Sequence, residues 1–176
     1  MLAMSAALLA RLDARDRALF TRCALEASAS RLFRVFWKTL THLGGVSCSI
    51  AAAVIPALSR GTLATAGRQA IWALVVSHLV VQLVKRTVGR PRPAHGTDCA
   101  SLVEEPDRFS FPSGHSAAAM SVAFVYAMAF PQLAAPLLTL AMLVGLSRVV
   151  LGVHYPGDVL AGQLLAAATA AVAMLR

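Results

Sequence analysis

Acidic residues, aromatics and paired cysteines are all scarce in this chain. Asp and Glu number 8 against 16 Lys and Arg, leaving a formal net charge of +8. In a soluble protein that excess would suggest nucleic acid. Only two Trp and two Tyr are present, however, and the arginines form no aromatic-interleaved patch, so nucleic acid is not the expected partner. The three cysteines (Cys23, Cys48, Cys99) are odd in number, widely spaced and without a CxxC pair. They indicate neither a disulfide framework nor a zinc site and read as small apolar residues. No internal repeat or low-complexity tract stands out beyond an alanine richness suited to close packing of membrane helices. The apolar start, Met1 to Ala10, lacks a basic region before it and runs at once into Arg11, Asp13, Arg15, Asp16 and Arg17. A cleaved signal peptide is not expected there.

What the chain does have is hydrophobicity. Its 176 residues are 58% hydrophobic with a mean hydropathy of +0.69, above what a soluble domain of this length usually carries. Stretches free of Asp, Glu, Lys and Arg run from Thr39 to Ser59, Gln69 to Val84, Ser116 to Ser147 and Val159 to Leu175. One crossing needs roughly 20 apolar residues. The third stretch is too long for that and carries Pro131 and Pro136 near its middle, which divides it into a helical hairpin. The expectation is an all-α transmembrane helix bundle with about five crossings, near 37–58, 67–86, 113–131, 134–152 and 157–175. Residues 1–34 form an amphipathic interfacial segment or an irregular solvated tail, and residues 35–176 the membrane-embedded domain. The one long polar loop, Thr87 to Phe111, is a candidate functional segment.

Three clusters sit at helix ends: Lys85 through Arg92-Pro93, Pro112-Ser113-Gly114-His115, and Ser147-Arg148 with His154 and Asp158. The long loop joins the first two, and the hairpin between His115 and Arg148 crosses twice and returns. All three therefore fall on one membrane face. Charged groups placed there in lipid are costly unless they act. Lys85, Arg92 and Arg148 supply fixed positive charge suited to phosphate oxygens. Ser113 is positioned to cap a helix, and Gly114 beside it lets an anion approach the backbone amides. Asp158, four residues after His154, is placed to fix the tautomer of that imidazole, leaving its other nitrogen free to attack phosphorus. His115, on a different helix, is placed to protonate the leaving oxygen. The loop carboxylates Asp98, Glu104, Glu105 and Asp107 are too scattered to suggest a magnesium site, so neither metal nor cofactor is called for.

These eleven residues resemble the complete three-part signature of the type 2 phosphatidic acid phosphatase (PAP2) family. Six residues separate Lys85 from Arg92, five Arg148 from His154, and three His154 from Asp158. The resemblance spans residues 85–158. It implies His154 as nucleophile, Asp158 as its partner, His115 as acid and base, and Lys85, Arg92, Ser113, Gly114 and Arg148 as phosphate ligands. It implies a metal-independent phosphatase of the bacterial inner (plasma) membrane acting on a lipid phosphomonoester or diphosphate: polyprenyl phosphate, phosphatidic acid or phosphatidylglycerol phosphate. Members of the family usually have six helices. Here the first full helix is expected to be missing or replaced by the amphipathic segment.

Two other classes compete. A vanadate-dependent haloperoxidase shares such a pocket, but those enzymes resemble larger soluble proteins. A non-catalytic lipid binder would need the cations but not His154, Asp158 and His115. Orientation is open, because 13 of the 16 Lys and Arg lie on the active-site side, favouring the cytoplasm by the positive-inside tendency, whereas bacterial relatives mostly resemble enzymes facing the periplasm. A cytoplasmic site would suit a polyprenyl-linked sugar phosphate. Membrane lipids are the expected surroundings, and the oligomeric state is open.

Overall fold

The computed structural model describes residues 2–24, 29–95, 101–105 and 107–174. Gly96, Asp98, Cys99, Pro106 and Arg176 lie outside the described residues. Among those described, the long regular elements are all helices: α1 (Leu2–Cys23), α2 (Arg31–His42), α3 (Val46–Ala57), α4 (Gly61–Val88), α5 (Gly114–Ala129), α6 (Ala134–Val150) and α7 (Pro156–Met174). The all-α expectation is met.

The helices follow from where large and small side chains fall. On α4 the inward positions Ala66, Ala70, Ala73, Ser77, Val81 and Lys85 recur every three or four residues, and all are buried. Trp72, Leu79 and Leu83 stand exposed on the opposite side. The same division recurs on α7, with Gly162, Ala166 and Ala170 inside and Leu160, Leu164 and Val172 outside. Large apolar groups outside and small ones inside is the arrangement of a bundle solvated by lipid, where van der Waals fit and not water exclusion drives helix association. Single hydrogen bonds lock pairs of helices at depth. Ser77 and Ser121 hydroxyls meet at 2.9 Å between α4 and α5, and Gln163 Nε2 donates to the Ala141 carbonyl of α6 at 3.1 Å. Each contributes about 0.6 kcal/mol by the average for bonds within a membrane.

Among the described residues, three helical stretches are long and apolar enough to cross a bilayer: α4, α6 with the short 3-10 turn Pro131–Leu133 that leads into it, and α7. The expected first crossing, 37–58, is instead two helices, α2 and α3, that qualify as a span only together and meet at a 47° bend. The break falls at Gly44-Gly45, and its cause is packing. A Cβ on Gly44 would lie 2.7 Å from the His115 carbonyl oxygen and 2.6 Å from Val144. The chain turns here so that α2 packs on α6 while α3 packs on α4 and α5. Helix α2 also begins at Arg31, so it runs through the boundary expected at residue 34. The expected crossing at 113–131 is α5, at 16 residues only about 24 Å long, short of a hydrocarbon core of roughly 30 Å. It is packed against α3, α4, α6 and α7, which leave Met128 as its one exposed residue, and so it is a central helix of the bundle.

Helix α1 is no irregular tail. It packs against α6 and α7, with Phe20 fully buried against Tyr155, ring centroids 5.3 Å apart.

Candidate active site

Helix α4 ends where Gly89 adopts φ 61°, a left-handed cap that glycine enters without strain. The chain then runs extended from Arg90 to Arg92 and pairs locally with the returning loop. Pro91 bridges Phe109, and the Ser110 amide donates to the Arg90 carbonyl at 2.8 Å. In an extended chain, residues two apart point the same way. Arg90 and Arg92 therefore reach toward the turn before α7, where Arg90 meets Asp158 and Arg92 meets His154.

Arg92 is fully buried. Its Nη1 donates to the Val153 carbonyl at 2.9 Å and lies 3.3 Å from His154 Nε2. A guanidinium can only donate, so at this contact Nε2 presents its lone pair and the imidazole proton sits on Nδ1. Nδ1 points toward Asp158 Oδ2 at 3.7 Å. That is ion-pair range but too long for a hydrogen bond, and Nδ1 is buried without a hydrogen-bond partner among the described residues. The sequence suggests a direct bond here. It does not form in this state because Asp158 is already occupied: Oδ1 accepts from Arg90 Nη1 at 2.6 Å, and Oδ2 accepts from the Tyr155 amide at 2.8 Å and from the Ser110 hydroxyl. Burial, reinforced by the charges of Arg92 and Arg148 and opposed by Asp158, pushes the His154 imidazole down to about 4. At neutral pH it is an uncharged base.

Lys85, at the end of α4, holds both oxygens of Asp107 at 2.9 Å and donates to the Phe109 carbonyl at 2.9 Å. Arg92 donates to the same Asp107 carboxylate through Nη2 at 2.9 Å. Arg148, near the end of α6 and 2% exposed, gives one Nη1 bond to Thr41 Oγ1 at 2.6 Å. Its Nε and Nη2 are buried without a hydrogen-bond partner among the described residues. A buried guanidinium with two unmet donors costs several kcal/mol unless an anion completes it.

The start of α5 differs in one respect from expectation. Ser113 stands at the N-cap position but its side chain caps nothing; its hydroxyl accepts instead from Ser116 at 2.9 Å. The N-terminal amides of α5 are left without a side-chain cap. Gly114 opens onto free space, with nothing within 4 Å of where a Cβ would sit. His115, half-buried in the first turn, lies within electrostatic range of Arg148, His154 and Arg92. Helix α7 approaches closely enough that a Cβ on Gly162 would lie 2.5 Å from the Ser113 carbonyl, and the Ser113 amide donates to the Asp158 carbonyl at 2.9 Å. All eight predicted site residues thus gather at one end of the bundle.

Three residues of the cluster, Arg90, Ser110 and Thr41, were not legible in the sequence, and Asp107 was visible there only as a scattered loop carboxylate, not as the partner of Lys85 and Arg92. The only available signal was the two-residue offset of Arg90 from Arg92. His95 is exposed, 3.4 Å from Glu105.

The chain is similar to several known proteins. The chain is 37% identical over 101 residues to the lipid A 1-phosphatase of Rhizobium johnstonii, a match over 54% of this chain and 41% of that protein. It is 36% identical over 130 residues to the decaprenylphosphoryl-5-phosphoribose phosphatase of Mycolicibacterium smegmatis, over 71% of this chain and 68% of that one. Among solved structures, LpxE of Aquifex aeolicus superposes with a TM-score of 0.79 at 25% identity, covering 90% of this chain and 94% of its own. The transmembrane PAP2-type phosphatidylglycerolphosphate phosphatase of Bacillus subtilis gives 0.74 at 27% identity, covering 93% and 85%. Residues 66–176 match the PAP2 superfamily, and with its apolar helices and the cluster at their ends the chain is an integral membrane protein belonging to that family.

Proposed function

We propose that the protein hydrolyses the phosphate of a lipid phosphomonoester or diphosphate through a phosphohistidine intermediate, without a metal. The observation that carries this reading is the buried Arg148 with two unmet donors, set in the same cluster as Arg92 and an uncharged His154. Such a cluster is incomplete without an anion, and a phosphoryl group supplies the missing acceptors. Lys85, Arg92, Arg148, the Ser113 hydroxyl and the amide at Gly114 hold its oxygens. The His154 Nε2 lone pair attacks phosphorus, forming the N–P bond as the P–O bond to the lipid breaks. His115, protonated, gives its proton to the departing oxygen. In the second step neutral His115 takes a proton from water, whose oxygen attacks phosphorus, the N–P bond breaks, and inorganic phosphate leaves. Stabilisation of the equatorial oxygens by fixed cations supplies most of the acceleration in such transfers.

The lipid part of the reading is supported by a groove of about 310 Å³ between α3, α4 and α5. Val46, Ile50, Leu74, Val81 and Ala117 line it, together with Gly114 from the first turn of α5. A chain lying there keeps its tail among apolar groups while its phosphate reaches the cations.

A second reading, a polyprenyl-linked sugar phosphate as substrate, is favoured by the 71% coverage of the decaprenylphosphoryl-5-phosphoribose phosphatase match. In either case the bacterial inner membrane is the proposed location.

The test is a phosphate-release screen of the purified protein over polyprenyl phosphates and diphosphates, phosphatidic acid, phosphatidylglycerol phosphate and a polyprenyl-linked sugar phosphate, with His154→Ala alongside. Release that disappears in the variant is the expected result. Substantial activity in His154→Ala would remove the nucleophile.

A further inference from the structure

We propose that Arg90 is a positioning residue for Asp158, and that helix α1 holds Arg90 in place through Asp13 and Asp16, making the N-terminal helix part of the active-site support. This rests on the reading of His154 as nucleophile and Asp158 as its partner.

Asp158 is completely buried, and a buried carboxylate requires a counter-charge. That counter-charge is Arg90, whose Nη1 lies 2.6 Å from Oδ1. Fixing Oδ1 in this way turns Oδ2 toward the Tyr155 amide, the Ser110 hydroxyl and the His154 imidazole. Arg90 thereby determines which oxygen faces the nucleophile.

One carboxylate would neutralise Arg90, yet it has three. Asp13 Oδ1 accepts from Nη2 at 2.7 Å and Asp16 Oδ2 from Nη1 at 2.7 Å. Both additional partners belong to α1, more than 70 residues away in sequence and outside the stretch 66–176 that matches the family. Asp16 also reaches the nucleophile segment directly, its Oδ1 accepting from the Gly157 amide at 2.7 Å in the first turn of α7. A Cβ on Gly157 would lie 2.8 Å from Asp16 Oδ2. The Arg90 guanidinium lies 4.1 Å from the centre of the Tyr155 ring, which packs in a T-shaped pair with Phe20 of α1. Helix α1 therefore grips residues 155–158 from behind by an ion-pair relay, a backbone bond and an aromatic contact. An interfacial anchor would need none of these.

The experiment uses the full chain in detergent with a lipid phosphate substrate. Arg90→Gln is expected to lower kcat about 10- to 100-fold, by analogy with the loss of partners that orient the ligands of metal sites, with KM changed less than about threefold. Arg90→Lys keeps the charge but cannot reach all three carboxylates at once, and it should recover part of kcat. Asp13→Asn with Asp16→Asn should lower kcat about 3- to 10-fold. The same pair added to Arg90→Gln should cause no further loss, because coupled residues are not additive. If Arg90→Gln fails to fold, the paired aspartate variant still decides, since wild-type kcat there overturns the role of α1.

A second measurement is independent of turnover: NMR titration of His154 in ring-labelled protein. The imidazole faces Asp158 from α7, Arg92 from the loop, Arg148 from α6 and His115 from α5, all retained in Arg90→Gln. Removing Arg90 leaves the Asp158 charge uncompensated, favours the imidazolium and raises the midpoint. Unchanged kcat and midpoint in Arg90→Gln, or a full additional loss from the aspartate pair on that background, would overturn the proposal. A raised midpoint in a protein whose wild type releases no phosphate from any lipid would instead remove the functional reading and leave the positioning role standing.

Discussion

The ammonium of Lys85 lies 2.9 Å from each carboxylate oxygen of Asp107, and Arg92 donates to the same carboxylate. Two of the proposed phosphate ligands are thus bridged by a loop anion. Burial raises the Asp107 carboxyl, but Lys85 and Arg92 outweigh it and hold the group below its ordinary value. It is charged at neutral pH and competes with an incoming phosphate. Asp107→Asn is expected to lower KM, and the inhibition constant of inorganic phosphate, by about 3- to 10-fold, roughly 1 kcal/mol of relieved competition. Steady-state kinetics with product inhibition measures both. A raised KM would mean that Asp107 orients the cations and does not obstruct them.

Arg148 separates stability from function. Its unmet donors and the nearby Arg92 charge oppose folding in the unliganded protein. Arg148→Leu should therefore raise the thermal midpoint in detergent, by about 1–4 kcal/mol in free energy, while lowering kcat/KM at least 100-fold. Arg148→Lys should also lose most activity, because an ammonium cannot present two fixed donors to a phosphate. A destabilised Arg148→Leu would show that the arginine is completed within the protein.

The pH dependence follows from His154. The nucleophile must be neutral, and its proton leaves near pH 4 and not near the ordinary 6.5. Between these values the folded protein binds fewer protons than the unfolded chain, so this group's contribution to stability rises with pH through that window and is lost on acidification. The acid limb of kcat/KM assigned to His154 should accordingly fall near pH 4, once the substrate's second phosphate ionisation near pH 6 has been measured separately. A limb at 6.5 that persists after that correction would mean the imidazole is solvated in the working enzyme.

Chelation and vanadate test the charge balance. Because the proposed phosphate ligands are side chains and amides, activity should survive millimolar EDTA. Vanadate, which takes the geometry of the phosphoryl group in transfer, should inhibit competitively. Activity lost to EDTA and restored by magnesium would require a cation that the side-chain cluster does not account for.

Much of this protein is visible in one dimension because a bilayer is a demanding solvent. Apolar stretches without charge must be helices, since no water is present to satisfy a free backbone. Four of the five expected spans fall within a few residues of α4, α5, α6 and α7. The site residues stood out because Lys85, Arg92, Ser113, His115, Arg148, His154 and Asp158 are polar groups near the ends of such helices, at fixed separations, with Gly114 between two of them. Periodicity and spacing are local properties, and local properties can be read from order alone.

What only the tertiary structure decided depends on contacts between distant segments. Hydropathy over 37–58 is that of one span, and the break at Gly44-Gly45 arises because the His115 carbonyl and Val144 occupy the space a straight helix would need. An arginine at a helix end looks like an interfacial anchor in sequence. Arg90 becomes something else because α1 brings Asp13 and Asp16 to it and α7 brings Asp158. Arg148 finds Thr41 across 107 positions. Sequence determined which side chains lie at the membrane face; packing of the helices decided which charges meet there, because charge pairing depends on a few ångströms that linear order does not contain.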